Sequence, residues 1–208
     1  MTYTTIGFDP RRPSSSWLNE WSPDRRQTYL LQPDLAVPLS VDPMAWPPRL
    51  IHHELERRRP DEILLADWSL VNPVGLVREL AALDHYRTAA TADDLTLAVC
   101  LLDPVADPWT DRLTSWPTQP PRPAADWVLL GHDVADDDLT SGLCNCGYTP
   151  EEATAARDAW AADLNQHGLF SDPERARAFA HFTNQRVREH APFHVHGLFL
   201  VPTAVDSH

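Results

Sequence analysis

With 208 residues, 43% of them hydrophobic, and eight tryptophans, the chain can bury a sizeable core, which excludes a disordered polymer. One domain over residues 1–208 is the expected organisation, with lobes 1–103 and 124–208 joined by the loop 104–123 as the lesser arrangement. A formal charge of −13, from 30 acidic residues against 17 basic ones that are all arginine, repels nucleic acid and anionic lipid and steers the protein towards basic partners.

The N-terminus, Met1-Thr2-Tyr3-Thr4-Thr5-Ile6-Gly7, has no basic segment followed by an apolar one, and no run approaches the roughly 20 apolar residues of a membrane helix. A soluble, cytoplasmic protein is expected. Three cysteines, an odd number, fit a reducing compartment better than a disulfide scaffold. The missing lysine reads as the coding bias of a GC-rich, bacterial-like genome. Residues 1–49 are punctuated by Pro10, Pro13, Pro23, Pro33, Pro38, Pro43, Pro47 and Pro48, so they read as an irregular proline-rich wrap with edge strands near 28–31 and 35–41. A helix follows Pro47-Pro48 to about Arg59. Its His52 and His53 lack the i, i+4 spacing that places two ligands on one face.

Residues 63–71 are strand-like, and Asn72-Pro73 then offers a cap and a first-turn proline for a helix to about Arg87. A second strand, 95–102, is almost wholly apolar, as in sheets covered on both faces; Cys100 within it reads as a small core residue. Strand, helix, strand implies a right-handed crossover. The expected fold class is therefore α/β or α+β, with a mixed, partly parallel sheet and helices packed on it. From Asp103 to Asp126 a stretch rich in proline and tryptophan reads as a long surface loop.

The chain then concentrates chemistry. Trp127-Val128-Leu129-Leu130-Gly131 leads into His132, Asp133, Asp136, Asp137 and Asp138, then Ser141-Gly142-Leu143-Cys144-Asn145-Cys146-Gly147-Tyr148. Thr149-Pro150-Glu151-Glu152 opens a helix ending at His167-Gly168, and Ser171-Asp172-Pro173-Glu174 opens another that runs to His190 and buries Ala176, Phe179, Thr183 and Val187. A last strand, 193–201, sets His194 and His196 on one side.

Two functions follow from these residues. In the first, Asp133, Asp136, Asp137, Asp138 and Tyr148 form an acidic contact patch for a basic protein, as in an immunity-type antidote covering the cationic site of a toxin or nuclease, with no cofactor. In the second, a small enzyme uses the loop of Cys144 and Cys146 with the last strand. There Cys146 is a nucleophile with His194, His196 or His132 as base, or Cys144, Cys146, His194 and His196 hold zinc. The spacing matches no common zinc motif, Ser141-Gly142 lacks the setting of a nucleophile elbow, and the order of the aspartates matches no calcium loop. Charge with no complete catalytic motif leans the reading towards the binding module and away from an enzyme.

Overall fold

The computed structural model describes residues 1–11, 70–84, 95–143 and 149–202. The expected strands near 28–31 and 35–41, the helix after Pro47-Pro48 and most of the strand 63–71 lie outside the described residues. In chain order the elements are β1 (Tyr3–Arg11), a single 3-10 turn (Leu80–Leu83), β2 (Leu95–Leu102), α1 (Pro108–Thr114), β3 (Val128–Ala135), α2 (Pro150–Trp160), a second 3-10 turn (Ala161–Asp163), α3 (Pro173–Arg186) and β4 (His194–Leu200). The strands form one antiparallel sheet in the order β1-β2-β4-β3.

The mixed α and β class therefore holds, but the partly parallel sheet does not. The expected crossover depended on a helix over 73–87, and over 73–79 none forms. Asn72 is the reason. Its Oδ1 accepts the amides of Val74 (3.1 Å) and Leu76 (3.0 Å), and its Nδ2 donates to the carbonyl of Ile6 (2.8 Å). That is a side-chain turn, the competitor that makes asparagine ambiguous between a cap and a loop. Gly75 takes φ 84° within it. The chain leaves the turn extended, and Val77 exchanges both backbone hydrogen bonds with Phe8 of β1 (2.7 and 3.0 Å).

The chain divides into two compact units. The first holds the described residues 1–11, 70–84, 95–129 and 197–202. Strand β2 lies at its centre, with Leu97, Ala98, Val99, Cys100 and Leu101 all buried, so the apolar run is covered on both faces although its neighbour β1 is antiparallel. Phe8, Val77, Leu83, Trp127, Phe199 and Val201 pack with Ala98 and Cys100, Phe8 and Trp127 meeting edge to face with centroids 5.8 Å apart. A register shift between Thr5 and Gly7 bends β1. Gly7 is required there, because a Cβ would sit 2.3 Å from the Cβ of Leu76. The expected loop 103–126 contains α1, whose Asp107 cap accepts the amides of Trp109 (2.9 Å) and Thr110 (2.8 Å) and whose Trp109 and Leu113 are buried. A short capped helix was hidden there by the surrounding prolines.

The second unit holds the described residues 130–143 and 149–196. Its helices start where their caps predict. The Thr149 amide donates to Glu152 (2.9 Å) while the Glu152 amide reaches the Thr149 hydroxyl (3.3 Å), and Asp172 accepts the amide of Glu174 (2.9 Å). Ala176, Phe179 and Thr183 of α3, and Val187 just past it, are buried as their spacing requires. Their ends differ from expectation. Helix α2 stops at Trp160 rather than His167, since Asn165 turns the chain by accepting the amides of His167 (2.9 Å) and Leu169 (3.2 Å), with Gly168 at φ 70°. Helix α3 stops at Arg186 rather than His190, where Val187 leaves helical geometry. Trp160, Phe170, Phe179 and Phe182 form the aromatic core of this unit, with Phe179 5.2 Å from both Trp160 and Phe170.

Candidate functional site at the turn after β3

The second half of β3 enters the second unit through Gly131, which holds φ 148° where a Cβ would meet Leu169 at 2.7 Å and Asn165 Nδ2 at 2.9 Å. Only glycine allows that approach. It lets Asn165 Nδ2 donate to the Leu130 carbonyl (2.7 Å) and lets His132 and Phe170 exchange backbone hydrogen bonds, both 2.9 Å. The buried His132 ring also faces the Phe170 carbonyl, its Nδ1 at 3.2 Å. A carbonyl only accepts, so Nδ1 carries the proton. Burial holds the His132 pKa below the ordinary histidine value, with Arg177 adding to that effect and Phe170 and Asp172 opposing it.

The aspartates that follow divide between interior and surface. Asp133 is buried; its Oδ1 accepts the amide of Val134 (2.8 Å) and the hydroxyl of Ser141 (2.7 Å). Ser141 Oγ in turn accepts the Leu143 amide (3.2 Å), so this hydroxyl closes the hairpin rather than meeting an imidazole. Asp136 is also buried. Its backbone amide donates to the Thr140 carbonyl (3.1 Å), and its Oδ1 accepts the amides of Asp138 (3.1 Å) and Thr140 (2.7 Å). Leu139, at φ 62°, completes the tight reversal. At the tip, Asp137 is half-buried and Asp138 is exposed.

Asp136 Oδ2 faces His190 Nδ1 at 3.3 Å. Burial pushes the Asp136 carboxyl above its ordinary value; the Thr140 and Asp138 amides and His190 pull it back, and the neighbouring Asp138 carboxylate adds to the rise. The sequence reading placed His190 only at a helix end. Nothing in a separation of this length marks the pair, because the return of the chain after α3 is what brings the imidazole back.

On β4, His194 is half-buried and His196 is buried, with His196 Nδ1 3.1 Å from the carbonyl of His194. Burial first, and His194 second, push the His196 pKa down to about 3, so the ring is neutral. Cys144, Cys146 and Tyr148 lie outside the described residues. Among the described residues no group of three or more histidine, cysteine, aspartate or glutamate side chains is placed to hold a metal ion, and no helix is long and apolar enough to cross a membrane. Comparison of the chain with protein-family models, with curated proteins and with solved structures finds no match.

Proposed function

We propose that the protein is an acidic, cytoplasmic protein-binding module of the immunity type, which meets a basic toxin or nuclease through the turn after β3. The observation that carries this reading is a preformed acidic tip on a strongly acidic chain. Asp137 and Asp138 stand on a reversal whose backbone is already held by the Asp136 carboxylate, within a chain of formal charge −13. A loop ordered before encounter pays less conformational entropy on binding. Charge of one sign raises the rate at which a basic surface arrives. Asp133 and Asp136, expected among the contact carboxylates, serve this reading by building the frame.

The test is capture of the partner from the protein's own cell extract, followed by association kinetics over about 50 to 200 mM salt, a range that shortens the Debye length. Replacing both Asp137 and Asp138 by asparagine is expected to slow association about threefold or more and to flatten its salt dependence, with dissociation little changed. Association that is insensitive both to salt and to this double substitution removes the reading.

A further inference from the structure

We propose that Arg78, laid on Trp116 and beside Thr118, is a binding site for a small organic monocarboxylate with a flat apolar body. All three residues lie in the first unit, whereas the turn after β3 lies in the second. The guanidinium carbon of Arg78 sits over the Trp116 ring, 5.4 Å from its centroid, within the range of a cation–π contact. The Gln119 amide donates to the Arg78 carbonyl (2.8 Å) and the Leu80 amide to the Gln119 carbonyl (3.0 Å), which fixes the chain at Thr118 alongside Arg78. Two polar atoms of these neighbours, Arg78 Nε and Thr118 Oγ1, are shut away from solvent without a hydrogen-bond partner. Thr118 as a whole is only 4% exposed.

Other arginines show what Arg78 lacks. Arg175, Arg177 and Arg186 hold the carboxylates of Asp163, Glu174 and Glu152, and Arg112, Arg122 and Arg188 are exposed to water. Arg78 is half-buried, and among the described residues no carboxylate pairs with it, although the chain carries 30 acidic residues. A guanidinium drawn out of water needs acceptors for its N–H groups. The indole offsets part of the charge but offers those groups no lone pair. A carboxylate matches the guanidinium fork with two parallel bonds. A phosphate matches it too, but a chain of formal charge −13 opposes a dianion more strongly than a monoanion. Trp116 keeps 36% of its surface exposed, which leaves indole for a flat apolar body to lie against while its carboxylate meets Arg78.

The test is an NMR titration of the isotope-labelled full chain, followed at the Trp116 indole N–H, whose resonance is assigned by its loss in Trp116→Phe. Benzoate is the probe, benzamide supplies the same body without the charge, and inorganic phosphate is the competing oxyanion, all at one ionic strength. Benzoate is expected to shift that resonance saturably, with a Kd of about 1–5 mM that is about fivefold or more tighter than for benzamide or phosphate. Arg78→Gln should weaken benzoate about fivefold or more. Benzoate and benzamide are compared on the unsubstituted protein, so that comparison stands even where Arg78→Gln fails to fold. The site is overturned by a shift that does not saturate up to about 50 mM benzoate, by equal binding of benzamide, by tighter binding of phosphate, or by a folded Arg78→Gln that binds benzoate undiminished.

Discussion

Asp133 and Asp138 belong to one short acidic stretch, yet they answer to different physics. Removing the Asp133 carboxylate leaves the Val134 amide and the Ser141 hydroxyl without their acceptor in a buried setting. Asp133→Ala is expected to cost about 2–3 kcal/mol, read from urea midpoints at constant m-value. Asp138→Ala should stay within about 0.5 kcal/mol, since that side chain is exposed. Equal effects at the two positions would show that the stretch does not divide as described. Cys100 makes a second residue-scale case. It is buried beside Thr5, and burial pushes its thiol up to about 12. The thiolate is the reactive form, so peptide-resolved alkylation near neutral pH should leave Cys100 unlabelled until the protein is denatured. The sequence was sufficient to place Cys100 in the core, because its apolar neighbours on both sides leave no exposed face. It could not separate Asp133 from Asp138, because identical side chains differ only in what the fold brings against them.

Helices and turns differ in how far their causes reach. The starts of α2 and α3 were legible, because a capping residue, a first-turn proline and a reciprocal or adjacent acid act within one turn of chain. The segment 72–79 was misread for the opposite reason. Asn72-Pro73 satisfies the same local rule, but the Asn72 amide finds the Ile6 carbonyl, and Val77 finds Phe8. Asn72→Ala therefore removes three buried hydrogen bonds at once, and a loss of about 3 kcal/mol in thermal or urea unfolding is expected. At Gly131, alanine meets both a disfavoured φ and the Leu169 side chain. Gly131→Ala should cost about 2–3 kcal/mol and loosen the pairing of His132 with Phe170, visible as faster exchange of the Phe170 amide. An alanine variant as stable as the native chain would show that β3 can shift away from Leu169.

Among the described residues, two buried histidines draw stability down as the solution turns acid. His132 and His196 both have folded pKa values below the unfolded one, so the unfolded chain binds more protons once pH falls below the ordinary histidine range. Their contribution is complete above that range and is lost as pH falls towards the folded values, about 3 for His196. His196 alone should withdraw about 2 kcal/mol between neutral pH and about pH 5. Urea midpoints across that interval check the loss. Ring resonances of His196 that titrate in the ordinary histidine range would contradict it. Taken by itself, the sequence determined the mixed class, the apolar strand β2, the starts of α2 and α3 and the net charge, because each is set by neighbours along the chain or by composition. Only the tertiary structure decided the antiparallel order β1-β2-β4-β3, the burial of Asp133 and Asp136 and the meeting of Asp136 with His190. Those depend on contacts between residues far apart in sequence, where one side chain's choice between solvent, backbone and a distant partner is made by the packing around it.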